Sequence, residues 1–243
     1  VAASAGQSSL FGDVEEEERV VNWVDAAPWS GPKQLQEEKK ALGFWFSGHM
    51  YDFYAKEIKR YHPAALKGLA EMKTQKGGTE VRIAGIVTAA STIQGKNGRF
   101  GAVTIDDGVT QVEVRCFQET WDKFRPLFEV DKVVFLRVLV RWSDFRKSNS
   151  LTLVDAFDLA TFRERTARGL MLELGDCSKE RFELLKERLL ENKNENGLNV
   201  AISLTADGMS GTLHLPFTIS AADEALDTVT GLPCIRSFEV QYD

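Results

Sequence analysis

The chain has 243 residues, 43% of them hydrophobic, with fifteen Phe and five Trp; that is enough apolar bulk to bury a core and it excludes global disorder. No apolar run approaches the ~20 residues of a membrane helix, no signal peptide is visible, and Cys116, Cys177 and Cys234 lack a zinc spacing, which fits a reducing, cytoplasmic setting. The formal net charge of −6 argues against a protein that coats a polyanion by charge alone.

Residues 1–34 have no sustained period and carry two Lys/Arg against six Asp/Glu, so they read as a flexible linker. The chain begins without Met, as a fragment or processed product would. One island interrupts the linker: Gln7-Ser8-Ser9-Leu10-Phe11. Residues 35–79 form a net-positive helical connector. Leu35, Glu38 and Leu42 recur at helical spacing, Gly43 and Gly48 break the pattern, and Tyr51, Tyr54 and Ile58 predict a second helix over 51–61 ended by Pro63.

From residue 80 to 160 the period changes to two. Val81, Ile83, Gly85 and Val87 alternate, Gly95–Gly98 predicts a turn, 99–106 a strand, Asp107-Gly108 a second turn and 111–117 a third strand. Residues 118–128 predict a helix with Trp121, Phe124, Leu127 and Phe128 on one side; strands over 132–142 and 151–159 follow, around a polar loop. This order, βββαββ, is that of a five-stranded OB-fold barrel. Residues 169–243 hold a second unit. Leu170, Leu172 and Leu174 alternate, Ser178 caps a helix with Phe182, Leu185 and Leu189 on one face, strands are predicted over 198–204 and 211–217, a short helix from Ser220, and a last strand over 235–242. Its order, βαββαβ, suggests a small split, ferredoxin-like domain. The expected class is α+β: a barrel, then the small α/β unit, after a linker and short helices.

Chemistry is sparse. Three His, no Ser/His/Asp cluster and no phosphate-binding glycine loop leave no catalytic residues to nominate. Asp106 and Asp107 precede Gly108, and the turn reading outweighs a metal site, so no cofactor is expected in this chain. Cys116 sits in an alternating apolar run as a core residue. The barrel is where nucleic acid belongs. Lys96 and Arg99 fall in its first loop, Arg115 and Phe117 point outward from the third strand, Arg137 and Arg141 point outward from the fourth beside Phe135, and Phe145, Arg146 and Lys147 fall in the last loop. Aromatic rings stack bases at ~1–3 kcal/mol each and guanidinium groups hold phosphates, as single-stranded DNA requires. The bland alternative is a solvated basic loop with a Phe packed under a helix. In the linker, Leu10 and Phe11 stand alone with nothing local to bury them; with Gln7 they suit an extended peptide docking in a pocket.

At this point the sequence resembles a family. Gln7-x-x-Leu10-Phe11 is similar to the bacterial sliding-clamp binding motif, which in the replicative DNA polymerase III alpha subunit lies ahead of an OB-fold. Leu42-Gly43-Phe44-Trp45-Phe46-Ser47-Gly48-His49 resembles the segment that leads into that fold, with Met50 where the family usually has Pro. Val81–Val87, Val103–Asp107 and the ending Phe238–Asp243 also resemble the family, so the likeness covers essentially the whole chain in order. The resemblance implies the C-terminal part of a DNA-directed DNA polymerase whose catalytic carboxylates and divalent metal (Mg) lie upstream. It implies three partners: the sliding clamp (beta subunit) at Gln7, Leu10 and Phe11, single-stranded template at the barrel, and the clamp-loader tau subunit at residues 169–243. No membrane contact is implied. The competing reading is a free-standing OB-fold single-strand nucleic-acid-binding protein, which predicts a basic chain without a clamp peptide.

Overall fold

In the computed structural model, residues 29–95, 98–144, 147–206 and 209–242 are described. Helix α1 (Gly31–Leu42) starts at a Pro in its first turn and ends at Gly43, whose φ of 84° gives the left-handed turn that glycine adopts without strain. Helix α2 (Met50–Arg60) is capped by His49, whose side chain accepts from the Tyr51 amide at 3.1 Å. Met50 holds the first helical position, where proline fits well, and is buried. A single turn, α3 (Leu66–Leu69), leads to the barrel.

The barrel strands are β1 (Thr79–Gly95), β2 (Gly98–Asp106), β3 (Gln111–Phe117), β4 (Val133–Ser143) and β5 (Ser148–Asp158). They close in the order β1-β2-β3-β5-β4, with β3 and β5 parallel and the other pairs antiparallel. β1 serves both sides. Its first half pairs with β4, its second half with β2, and a bulge at Val87/Ala89 lies in the second half. The helix between β3 and β4, α4 (Gln118–Phe124), continues into a 3₁₀ turn over Arg125–Leu127. It plugs one end of the barrel with Trp121, whose indole donates to Thr92 Oγ1 at 3.0 Å. A Cβ at Gly101 would lie 2.0 Å from the Trp121 ring, so that glycine is the seat of the plug. Ile83, Val103, Val114, Leu136 and Val138 fill the interior.

Part of the outer wall is also buried. Ala84, Ile86, Val133 and Phe135 meet Leu35 of α1, Met50, Tyr54 and Ile58 of α2, and Leu159 and Phe162 of helix α5 (Leu159–Thr166). α5 begins at Asp158, whose carboxylate accepts from the Thr161 amide at 2.8 Å; sequence reading had ended a strand there.

The terminal unit comprises β6 (Ala167–Leu174), α6 (Lys179–Glu191), β7 (Lys193–Ala206), β8 (Met209–Ile219), α7 (Asp223–Thr230) and β9 (Ile235–Tyr242). The element order is the expected βαββαβ, and the molecule is α+β with a five-stranded barrel and a four-stranded sheet. The pairing corrects one detail. A split βαβ places a strand between its two parallel strands, whereas β6 and β7 are directly hydrogen-bonded and parallel in a sheet of order β8-β7-β6-β9. α6 and α7 bury Leu185, Leu189, Leu226 and Val229 with Leu170, Leu172, Val200 and Ile202 of the sheet.

Candidate nucleic-acid interface

Among the described residues no helix covers one wall of the barrel, the outer face of β2, β3 and the second half of β1. Cross-strand register aligns Ile93, Phe100 and Phe117 in one row across these three strands. Ile93 is 38% exposed, Phe117 68%, and Phe100 half-buried between them. The next row holds Ser91, Ala102 and Arg115. The Arg115 guanidinium lies 5.6 Å from the centre of the Phe100 ring, with Glu113 at 3.6 Å from its Nε. Small residues at 89–91 keep the approach open. The arrangement offers two adjacent rings and a cation on one sheet face. Such a surface takes planar bases and a phosphate chain, and it offers no reactive group.

The loops at the edge add charge. Arg99 is exposed beside Gln94 at the β1–β2 turn. β4 and β5 pair as far as Ser143 and Ser148, so both ends of the expected polar loop belong to the strands. Lys147 is exposed there with φ 51°, and Trp142 is 51% exposed, its indole donating to Asp144 at 3.1 Å. Arg141 is exposed but donates from Nε to the Gly77 carbonyl at 2.5 Å.

The sequence-nominated residues therefore divide. Arg115 and Phe117 share the open face and Arg99 and Lys147 stand at its loops. Arg137 does not join them. It lies on the β1–β4–β5 wall, 3.8 Å from a Glu80 oxygen and 4.0 Å from an Asp155 oxygen. Phe135, read as outward beside it, has the outward parity but is fully buried under α2 and α5. Lys96, Phe145, Arg146 and the peptide residues Gln7, Leu10 and Phe11 lie outside the described residues. Phe100 and Trp142 were not nominated. Phe100 had a signal, since strand parity puts it on the side of Ala102 and Thr104, opposite Phe117.

Asp106 and Asp107 build a turn. Asp106 Oδ1 accepts from the Gly108 amide at 2.7 Å, and Asp107 Oδ1 from the Val109 and Thr110 amides at 3.1 and 2.8 Å. Among the described residues no three His, Cys, Asp or Glu side chains gather as metal ligands. Burial pushes the Cys116 thiol up to about 12, the behaviour of a core residue.

Comparison with known proteins adds the following. The family described as an OB-fold nucleic acid binding domain matches residues 81–154. A DNA polymerase III subunit alpha from Neisseria meningitidis serogroup A is 31% identical over 244 residues, covering 97% of this chain and 21% of that protein. The serogroup B protein of the same name is 34% identical over 71% of this chain and 15% of its own length. The Escherichia coli K12 protein of that name is 28% identical over 100% of this chain and 21% of its own length. The chain thus spans about a fifth of the curated relatives that match it end to end. Among solved structures, a mitochondrial single-stranded DNA binding protein from S. cerevisiae aligns with a TM-score of 0.30 at 16% identity, over 34% of this chain and 96% of that one.

Proposed function

Because the whole chain is homologous to the C-terminal part of bacterial DNA polymerase III alpha subunits, we propose that it is the non-catalytic tail of a replicative polymerase and holds template single strand on the open face of its barrel. The observation that carries this reading is the row Ile93–Phe100–Phe117 with Arg115 over Phe100. Arg99, Arg141 and Lys147, with Lys96 and Arg146, supply the phosphate contacts, and Phe145 adds a stacking ring. Nucleotidyl transfer and its divalent metal belong, on this reading, to the remainder of the longer polypeptide. Gln7, Leu10 and Phe11 engage the sliding clamp, and residues 169–243 dock the clamp-loader tau subunit.

The test of the single-strand site is the Phe100→Ala/Phe117→Ala variant, measured by fluorescence anisotropy on oligo(dT). Two lost stacking contacts at ~1–3 kcal/mol each should weaken binding about 30-fold or more. Unchanged affinity overturns the assignment. For the clamp, Leu10→Ala/Phe11→Ala should weaken capture by about 100-fold, because each buried side chain is worth ~1.5–3 kcal/mol. Capture equal to that of the unaltered chain removes the peptide from the proposal.

A further inference from the structure

The barrel has a second basic surface, on the wall opposite in character to the open face. Arg82 on β1, Arg137 on β4 and Asp155 on β5 form one cross-strand row. Immediately beside it, Tyr61 lies 5.5 Å from Phe157 and 6.3 Å from Phe162, and Phe162 lies 6.3 Å from Tyr242, so the rings make one continuous patch. Three arginines lie over this patch: Arg82 at 5.4 Å from the Tyr61 centroid, Arg165 at 5.0 Å from Phe157 and Arg60 at 4.5 Å from Tyr242. Lys56 and Lys59 are exposed on α2. Among the described residues, carboxylates border this surface as well: Glu80 and Asp155 approach Arg137, Glu164 is exposed on α5, Glu57 and Asp223 are committed to the buried Arg163, and Asp227 and Glu239 share a cleft with Lys56 and Arg60.

The chemistry differs from that of the open face. Tyr61 is edge-on to Phe135, Phe157 and Phe162 with Arg82 above it, and Phe157 stacks on Phe135 with Arg165 over its ring. Tyr61, Phe135, Phe157 and Phe162 pack on one another, so they offer a base less than the exposed Phe117 ring does. A stacked guanidinium, however, is held in orientation while its N–H groups lie in its own plane, the geometry that meets phosphate oxygens. A surface that contacts phosphates without stacking bases fits DNA whose bases are already paired, with one charge per ~1.7 Å of axis. We propose that Arg82 and Arg165, with Lys56 and Lys59, bind the phosphate backbone of duplex DNA, apart from the single-strand face. The inference rests on the polymerase reading only for the choice of DNA among polyanions.

The test uses the full chain with a blunt duplex oligonucleotide and, separately, oligo(dT), each titrated across salt concentrations. The Lys59→Gln/Arg82→Gln/Arg165→Gln variant should bind the duplex about tenfold or more weakly, with the slope of log K against log salt flattened by about two to three units. Its oligo(dT) affinity should change by less than about twofold. A Lys56→Glu/Lys59→Glu variant, which touches no ring of the patch, should weaken duplex binding in the same way and serves if the triple variant fails to fold. The Phe100→Ala/Phe117→Ala variant should keep its duplex affinity, so failure of the single-strand reading is told apart from failure of this one. Unchanged duplex affinity and slope in both charge variants overturns the proposal. So does an equal loss on oligo(dT), or no measurable duplex binding by the unaltered chain.

Discussion

Arg163 is the residue on which most of the interior polar chemistry converges. Only 5% exposed, it donates from Nε and Nη2 to both Glu57 oxygens at 2.7 and 3.0 Å, and from Nη1 to Asp223 at 2.6 Å and the Ala221 carbonyl at 3.0 Å. Tyr54 donates to Asp223 at 2.7 Å and the Tyr242 hydroxyl to Glu57. Burial works against the guanidinium charge, but the hydrogen bonds and charges of Glu57 and Asp223 outweigh it, and its pKa rises. Arg163→Met strands two carboxylates and should cost ~3–5 kcal/mol in urea denaturation; a loss below about 1 kcal/mol would mean the network contributes little. Arg163→Lys keeps the charge without the planar fork and should fall between. Glu38 offers a pH test. It accepts from the Ser47 hydroxyl and from the Ser47 and Phe46 amides, both at 2.9 Å, and from Gln34 at 3.0 Å, and these bonds lower its pKa to about 2. A carboxylate depressed in the folded state stabilises above its ordinary value and loses that contribution as pH falls through the folded one. The protection of the Phe46 and Ser47 amides, measured against their intrinsic exchange rates, should therefore fall as pH drops from about 4.5 to about 2, and Glu38→Gln should abolish the step.

At the scale of elements, Gly101 joins β2 to α4. Adding one methyl against the Trp121 ring should displace the plug, so Gly101→Ala is expected to lose ~1–3 kcal/mol and to change the near-UV signal of Trp121. A native-like spectrum and melting point would show that α4 yields without cost. The barrel's element order was legible because alternation in Val81–Val87 and the turns at Gly95–Gly98 and Asp107-Gly108 are local signals. α5 was not, because Leu159–Thr166 has no apolar period; its Asp158 cap and the burial of Phe162 define it. Parity put Phe135 outward, yet parity cannot say which outward positions another helix covers. Nor does element order say which strands pair, so the adjacency of β6 and β7 had to come from register. Arg163 was invisible for a related reason: its partners lie 106 and 60 positions away.

For the whole molecule, the terminal unit is not an appendage. Lys132 of the barrel pairs with Glu224 of α7 at 3.1 Å, and Arg163 joins α2, α5 and α7. Deleting everything after Arg168 removes Asp223 and Tyr242 and should lower the melting temperature of the remaining barrel by several degrees or more. A deletion is therefore a poor probe of the proposed tau docking by itself. Leu190→Glu and Leu213→Glu, at side chains 43% and 48% exposed on the terminal unit, should weaken tau capture while leaving stability near that of the unaltered chain. Full capture by both variants would move the contact elsewhere.

The Arg163 crossing also bears on how the molecule moves. Two lobes on a slack tether tumble separately, each with the correlation time of its own mass. Lobes bolted through a buried guanidinium should rotate together, and amides of the β1–β5 barrel and the β6–β9 sheet should relax with one shared tumbling time. A pull on the terminal sheet is then delivered to α2 and the barrel through Glu57 and Asp223, and Arg163→Met, which leaves the Tyr54, Tyr242 and Lys132 bridges in place, should loosen that coupling without abolishing it.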